Sequence, residues 1–340
     1  MEQKRSRTAD FLKGVAIIAM VQLVLTEFFG SSSLQNSTFG KISLFLGGVP
    51  VAPVFLSIMG YYIAHNKKSS KELVIRGVKL IVSGFFLNIA RNIVPLYAVV
   101  TGASQHSALT YIFEVDILIL AGLSVIAMAV LIKQFDGHVL LYIGVILILL
   151  FLQYIAPPVE KQFPGSLILP YFYGSYPGAY FPFIPWFSYV LAGFTFFHFK
   201  HFFIADNFKH NSKVKIILIF QSGLLFLISM PFGFNVSIHP RIFAHHGLMF
   251  FLFSVNFLFW WLLSASSIVK RVDNFITRYL EWTGKNVTLY YIVFMIIAGN
   301  LTVWYKEVDA YLWLILFVSI VFVTSVSVYV LKKVPPLKAK

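Results

Sequence analysis

The chain has 340 residues, of which 59% are hydrophobic and 12% are charged, and its mean hydropathy is +0.81. This composition excludes a soluble globular domain, because the surface of such a domain needs more polar residues. The chain contains no cysteine, which excludes a disulfide framework, a thiolate nucleophile and a cysteine-ligated metal site. We therefore expect a protein that lies in a bilayer, and we assign no metal ligands.

Apolar windows of about 20 residues, long enough to cross a bilayer, recur along the whole chain. They predict an all-α, polytopic integral membrane bundle of about ten transmembrane helices. No connection is long enough for a separate soluble domain, so residues 1–340 are predicted to form a single domain. The windows cover residues 10–29, 43–65, 74–95, 112–132, 138–156, 182–199, 214–232, 246–268, 286–303 and 310–331.

The net charge of +14 has a distribution that is typical of membrane topology. If the N-terminus is cytoplasmic, 22 of the 27 lysine and arginine residues fall in cytoplasmic segments, as the positive-inside rule predicts. Both termini are therefore predicted to be cytoplasmic. Topology and anionic membrane lipid account for the charge, so we do not expect a nucleic-acid partner.

The first predicted helix carries four polar groups in an apolar run, namely Asp10, Lys13, Gln22 and Glu27. At about 100° per residue, Lys13, position 24 and Glu27 share one face, whereas Gln22 points toward another helix with which its amide can bond. Two interpretations stay open for the charged groups. Asp10 and Lys13 pair at the cytoplasmic mouth while Glu27 lies at headgroup level, or the three groups line a path through the bundle.

Candidate general bases lie in the predicted external segments. Glu114 and Asp116 stand two residues apart at the fourth helix, so only one of them can face a given cavity. Arg91 is the natural ion-pair partner of either carboxylate, and both a structural pair and a functional carboxylate are open. His245 and His246 form the one pair of adjacent external histidines, and they are either a base or hydrated interfacial residues.

Several stretches resemble the polytopic membrane acyltransferases, a group that includes the heparan-α-glucosaminide N-acetyltransferase family and the acyltransferase type 3 family. The resemblance spans most of the chain. The stretches are RTADFLKGVAIIAM (7–20), APVFLSIMGYYIA (52–64), ELVIRGVKLIVSGFFLNIAR (72–91), DILILAGLSVI (116–126), FPFIPWFSYVLAGFTFF (181–197) and YLEWTGKNVTLYYIVFMI (279–296).

The resemblance implies transfer of an acetyl or other acyl group from cytoplasmic acetyl-CoA to a hydroxyl or amine of a sugar, at a site within the membrane. Asp116 is the preferred catalytic carboxylate because it begins one of the resembling stretches, and His245 and His246 are further catalytic candidates. The candidates for the phosphates of CoA are the basic residues on the cytoplasmic side, where topology alone also places such residues. They are Arg7, Lys13, Arg76, Lys79 and Lys285.

The chain also departs from these families. The type 3 acyltransferases carry an arginine and a histidine eleven positions apart on the first helix, where this chain has Lys13 and Val24. Val293 stands where a histidine is expected after the stretch GKNVTLY (284–290). In the heparan-acetyltransferase branch an external-side histidine is expected to be catalytic, yet the first external loop, GSSSLQNSTFGK (30–41), contains none.

Three functions are therefore weighed. The favoured one is an acetyl-CoA-dependent acyltransferase that modifies an envelope glycan or lipid-linked sugar, in a bacterial inner membrane. The alternatives are a transporter of a small molecule or lipid-linked glycan, with Asp116 as a coupling group, and a membrane relative that has lost catalysis. The acceptor, the acyl group and a homo-oligomeric state are left open.

Overall fold

The computed structural model describes residues 6–104, 107–135, 138–155, 165–174, 178–204 and 212–333, with the side chains of 200–204 and 212 left out. These residues form sixteen α-helices and one 3₁₀ turn, Leu169–Tyr171. The helices are α1 (Arg7–Phe29), α2 (Ser32–Asn36), α3 (Thr38–Gly48), α4 (Val51–Asn66), α5 (Ser70–Arg91), α6 (Ile93–Val100), α7 (Ala108–Ile112), α8 (Ile117–Phe135), α9 (Val139–Ile155), α10 (Phe183–Ile204), α11 (Ser212–Ser237), α12 (Pro240–Ala244), α13 (Leu248–Arg271), α14 (Phe275–Lys285), α15 (Val287–Leu301) and α16 (Ala310–Lys333).

The predicted membrane bundle is confirmed. Among the described residues, seven spans are long and apolar enough to cross a membrane, and three shorter apolar helices accompany them. The seven are α1, α3 and α4 taken together, α5, α8, α11, α13 and α16, and the three are α9, α10 and α15. Each of the ten predicted windows thus corresponds to one apolar span, and the chain is an integral membrane protein.

Two spans contain breaks that hydropathy does not show. The span Thr38–Asn66 is interrupted between α3 and α4 at Val49 and Pro50, where the proline has no backbone N–H to continue the helix. The third predicted window, 74–95, is divided at Asn92 between α5 and α6. Helix α14 has no counterpart among the predicted windows. It has only 11 residues, which is too short for a span, and its charged residues make it too polar.

The chain forms two compact units, and each is described by itself. Unit 1 comprises Met1–Val51, Ile89–Ser107 and Ala265–Lys340, and unit 2 comprises Ala52–Asn88 and Ala108–Ser264. We refer to the end of each unit that carries the basic residues as its inner end, which the positive-inside pattern predicts to be cytoplasmic. The single domain over 1–340 stays a prediction.

Helix α1 is the centre of unit 1 and packs against α3, α14, α15 and α16. At its outer end the chain segment before α16 is fixed to it, since the Val308 amide donates to Phe29 O at 2.8 Å and the Ser31 amide donates to Val308 O at 3.1 Å. The break between α5 and α6 is held by Asn300 of α15. Its side-chain oxygen accepts from the Val94 amide at 2.8 Å and its amide donates to Ala90 O at 2.9 Å.

In unit 2, α10 packs against α8 and α9, and it also meets α4 at two glycines. A Cβ on Gly60 would lie 1.9 Å from Val190 O, and a Cβ on Gly193 would lie 1.8 Å from Ser57 O. Only glycine allows two helix backbones to approach this closely. The first turns of α8, α10 and α13 lie at the outer end of unit 2 if the spans cross the membrane alternately.

Candidate functional site

The inner end of unit 1 is built on a close approach between α1 and α14. A Cβ on Gly14 would lie 1.9 Å from Leu280 O, and a Cβ on Gly284 would lie 1.7 Å from Asp10 O. Both glycines are therefore required by the contact between the two backbones. The approach brings the segment Asp10–Gly14, which contains Lys13, next to the C-terminal end of α14, which contains Lys285.

The predicted CoA ligands Arg7 and Lys13 both have acidic partners in unit 1. Nη2 of Arg7 lies 2.8 Å from Oε1 of Glu281, and its Nε donates to Oε2 of the same carboxylate at 3.1 Å. Nζ of Lys13 lies 2.8 Å from Oδ1 of Asp10, whose side chain is 1% exposed. The pairing of Asp10 with Lys13, one of the two sequence interpretations, is therefore confirmed. The contribution of either cation to CoA binding stays a prediction.

Lys285 is exposed and is the last residue of α14. The Asn286 amide closes α14 by donating to Thr283 O at 3.0 Å, and Asn286 O accepts from the Tyr290 amide at 2.9 Å to open α15. Asn286 has φ −110° and ψ 17°, which are not helical values and which divide the two helices.

The other two predicted CoA ligands belong to unit 2, on the first turns of α5. Arg76 is half-buried and Lys79 is exposed, and being three residues apart they are neighbours on the helix surface. Among the residues that the structure describes, neither has an ion-pair partner. Their charges are therefore not neutralised in the way that those of Arg7 and Lys13 are.

Gln22 is the centre of a polar cluster within the span of α1, and the expectation that its amide bonds to another helix is confirmed. Its Nε2 donates to Ser43 O of α3 at 2.8 Å, and Ser43 Oγ also contacts its Oε1. Thr26 Oγ1 lies 2.6 Å from Ser43 Oγ and accepts from Nε1 of Trp313 in α16 at 3.1 Å. The cluster joins three helices where no water is present to satisfy polar groups.

Two other α1 positions bear on the function. Val24, at the position where the type 3 acyltransferases have a histidine, is 6% exposed and belongs to the apolar core. Glu27 is half-buried one turn further toward the outer end. Within the described parts of the chain its carboxylate has no hydrogen-bond or ion-pair partner. A carboxylate without a partner near the end of a span is a candidate functional group.

Asp116 is 4% exposed and occupies the position just before α8. Its Oδ1 accepts a hydrogen bond from the Leu118 amide at 2.8 Å, as an N-cap residue does. Nearby, Nδ2 of Asn88 donates to Ile112 O at 3.0 Å and to Glu114 O at 2.8 Å. Asp116 therefore has a structural role, and its catalytic role and the suggested pairing with Arg91 stay predictions.

His246 is 2% exposed and lies among aromatic rings, so it is not a hydrated interfacial residue. The centroid of its ring is 4.9 Å from that of Trp186 and 5.0 Å from that of Phe250. Burial lowers the pKa of His246 to about 4, so the ring is neutral at pH 7. Its neighbour His245 is half-buried.

Both ring nitrogens of His246 have partners, and these fix its tautomer. Nδ1 lies 2.7 Å from Phe243 O, and because a carbonyl can only accept, Nδ1 carries the proton. Nε2 then accepts from the Tyr189 hydroxyl at 3.0 Å. Trp186 Nε1 donates to Ala244 O at 3.0 Å, which fastens α10 to α12. The His246 imidazole must therefore break its hydrogen bond with Tyr189 before Nε2 can accept a proton from a substrate. The catalytic assignments of His245 and His246 stay predictions.

Several of these partners could not be inferred from the sequence. Tyr189 is 57 residues before His246, and Glu281 is 274 residues after Arg7, so no local spacing connects them. Within the described residues, no group of three or more histidine, cysteine, aspartate or glutamate residues could hold a metal ion.

Comparisons with known proteins place the chain in a family. Comparison with curated proteins and comparison with solved structures each gave no match. The family model described as heparan-alpha-glucosaminide N-acetyltransferase, catalytic, matches residues 5–231, which is two thirds of the chain. The match includes α1, α4, α5, α8 and α10, and it ends within α11. The chain therefore belongs to the heparan-alpha-glucosaminide N-acetyltransferase family of membrane acetyltransferases.

Proposed function

We propose that this protein transfers an acetyl group from cytoplasmic acetyl-CoA to a sugar hydroxyl or amine of an envelope glycan or lipid-linked sugar, in a bacterial inner membrane. The observation that carries the proposal is the family match over residues 5–231, because this family uses acetyl-CoA as its donor. The match covers the helices on which Arg7, Lys13, Arg76 and Lys79 lie, and it includes Asp116, just before α8.

The two ends of the bundle would have different tasks in this reaction. The inner ends carry the basic residues, and a cation near the phosphates of CoA holds the donor by charge-assisted hydrogen bonds. Lys285 adds one such cation at the end of α14. The outer ends carry Asp116, Glu27, His245 and His246. One of these side chains would accept the proton of the attacking hydroxyl or amine.

Asp116 is the preferred base within this proposal. One of its oxygens caps α8, which holds the carboxyl group in a fixed orientation without removing its ability to accept a proton. His246 is less suited to the role, because its Nε2 already accepts from Tyr189. With valine at position 24, the first helix supplies no imidazole, so the base has to be one of these other side chains.

The test is calorimetric titration of the purified, detergent-solubilised protein with acetyl-CoA, with free CoA and an unrelated nucleotide as controls. Saturable binding that prefers acetyl-CoA, followed by transfer of labelled acetyl groups to isolated envelope glycans, is the expected result. Absence of binding at millimolar donor, in protein that melts cooperatively, would overturn the proposal. Uptake of a sugar into proteoliposomes without acetyl-CoA would then favour the transporter, and its absence an inactive relative.

A further inference from the structure

Basic residues at the inner ends of the two units have different surroundings. In unit 1, Arg7 pairs with Glu281 and Lys13 with Asp10. Arg278 also pairs there, through Nε at 2.8 Å from Oδ1 of Asp273. These three cations are held by carboxylates of the protein itself. Their charges are largely compensated before any ligand binds.

The turn between α4 and α5 in unit 2 has much weaker compensation, since its one carboxylate, Glu72, interacts electrostatically with Lys68 but forms no ion pair with it. Residues 67–79 contain five basic residues, Lys67, Lys68, Lys71, Arg76 and Lys79, and one acidic residue, Glu72, which leaves a net charge of +4. The Glu72 carboxylate is directed to Ser69, whose amide donates to it at 3.0 Å and whose hydroxyl donates at 2.8 Å. None of the five cations forms an ion pair with any residue that the structure describes.

Aromatic rings lie on the last turns of α4, which lead into this basic turn. Tyr61 and His65, at the end of α4, are stacked with ring centroids 6.1 Å apart and an interplanar angle of 26°. Phe197 of α10 supports both rings edge-on, at 5.3 Å from Tyr61 and 5.6 Å from His65. Tyr61, His65 and Phe197 are half-buried, so part of each ring is accessible.

The rings and the cations belong to one ordered structure. Gly60 and Gly193 hold α4 against α10, which fixes the ring-bearing turns of both helices. Lys67 has φ 43°, in the left-handed region, and so reverses the chain two residues after His65. The first turn of α5 is fastened to α8, since Ser70 Oγ donates to Ala129 O at 3.2 Å. A ligand would therefore meet preorganised groups.

Half-exposed aromatic rings next to several uncompensated cations are suited to a purine nucleotide with more than one phosphate. Aromatic side chains stack on the base, and lysine and arginine bind the phosphates. The positive-inside rule accounts for the lysines and the interfacial preference of tyrosine for Tyr61, but neither accounts for the stacking of Tyr61 with His65 next to the lysines. An anionic lipid headgroup could use the cations, but it has no base to stack.

We propose that Tyr61 and His65, with Lys67, Lys68, Lys71 and Arg76, bind the adenine and phosphate groups of a 3′-phosphoadenosine nucleotide, the end of the donor that is remote from its thioester. This inference rests on the proposed function, and it assigns to unit 2 the recognition of the nucleotide. It also gives different roles to three of the CoA ligands predicted from the sequence. Arg76 belongs to this nucleotide site, whereas Arg7 and Lys13 chiefly hold unit 1 together.

The probe is adenosine 3′,5′-bisphosphate, titrated into the detergent-solubilised full-length chain alone and in competition with acetyl-CoA. The variants are Tyr61→Leu, His65→Leu and the double variant Lys67→Ala/Lys68→Ala. The matched controls are Tyr97→Leu, an exposed tyrosine of unit 1, and the double variant Lys332→Ala/Lys333→Ala at the inner end of α16. Thermal melting of every variant shows that it is folded.

We expect the bisphosphate to compete with acetyl-CoA. Each ring substitution should weaken the binding of both by about tenfold, as loss of one base-stacking ring does. The Lys67/Lys68 variant should weaken binding and flatten its dependence on salt concentration. The control variants should bind as the wild type does. Equal losses in the tyrosine control, or no loss in Tyr61→Leu and His65→Leu, would overturn the inference.

The outcomes separate this inference from the proposed function. If acetyl-CoA binds but the bisphosphate neither binds nor competes, the donor site lies elsewhere and only the inference fails. If the bisphosphate binds through these residues but no acetyl group is ever transferred, the nucleotide site stands and the proposed function fails. If neither ligand binds, both fail.

A further titration tests whether the basic turn binds the phosphate of a lipid headgroup instead of a nucleotide. The same titrations are made in nanodiscs of phosphatidylcholine and of phosphatidylglycerol. If the lysine substitutions change only the affinity for phosphatidylglycerol, and the ring substitutions leave bisphosphate binding intact, the basic turn binds headgroups and the inference is overturned.

Discussion

The Tyr189 hydroxyl donates to Nε2 of His246 at 3.0 Å, between α10 and the segment that precedes α13. His246 lies outside the spanning segments, yet it is as well buried as the core of unit 2. The ring is held neutral by its surroundings, with one nitrogen donating to Phe243 O. This neutral pair joins helices that are distant in sequence, and its stability depends on pH.

We predict that the protein loses stability as pH falls from about 6.5 to about 4, through His246. Burial lowers the pKa of this group to about 4 in the folded state, so the unfolded state binds more protons in that window. The contribution is fully present above pH 6.5 and amounts to at most about 3 kcal/mol. Thermal melting in detergent across this range is the measurement. The slope should shrink in His246→Phe and persist in His239→Gln, which changes an exposed histidine; an unchanged slope in His246→Phe would contradict the assignment.

A second prediction concerns the contact between α1 and α14. Gly14→Ala and Gly284→Ala place a methyl group less than 2 Å from a backbone oxygen, so the helices must separate. We expect a loss of about 1–3 kcal/mol in stability for each variant, as overpacking causes. Gly144→Ala is the control, because nothing lies within 4 Å of a Cβ there. Equal melting temperatures for Gly14→Ala and Gly144→Ala would show that the close approach does not exist.

The ion pair between Arg7 and Glu281 should respond asymmetrically to substitution. The Glu281 side chain is 10% exposed whereas that of Arg7 is 53% exposed. Removal of the cation in Arg7→Gln leaves a buried carboxylate without its partner, whereas Glu281→Gln leaves an arginine that water can solvate. Arg7→Gln is therefore expected to lower the melting temperature by several degrees, and Glu281→Gln by less. Arg278→Gln, at an exposed pair, should have the smallest effect. The reverse order for Arg7 and Glu281 would contradict this account.

Hydropathy and charge alone predicted the architecture because membrane spans are specified by composition. Windows such as 310–331 and 214–232 match α16 and α11 closely, since about 20 apolar residues have no other stable environment. Hydropathy did not predict helix α14. Its exposed face carries Arg278 and Lys285, and it is held by glycine contacts and by Glu281, which no hydropathy window detects.

The candidate site was less predictable than the spans. The sequence placed Gln22 toward another helix correctly, because one helix face follows from residue spacing alone. It gave no means to see that His246 is enclosed by Trp186 and Tyr189, or that Tyr61 and His65 meet Phe197. These contacts are made by residues far apart in the chain, and the sequence of one protein holds no spacing rule that connects them.

The last prediction separates the structural and catalytic roles of Asp116. Asp116→Asn keeps a side-chain oxygen that can accept from the Leu118 amide, so the cap of α8 and the melting temperature should be nearly unchanged. The amide cannot accept a proton at neutral pH, and loss of a general base should lower acetyl transfer to envelope glycans by about 10²- to 10⁴-fold. Asp309→Asn is the matched control, because Asp309 accepts from the Leu312 amide at 2.8 Å and caps α16 in the same way. Full transfer activity in Asp116→Asn would restrict Asp116 to capping and direct the search for the base to Glu27.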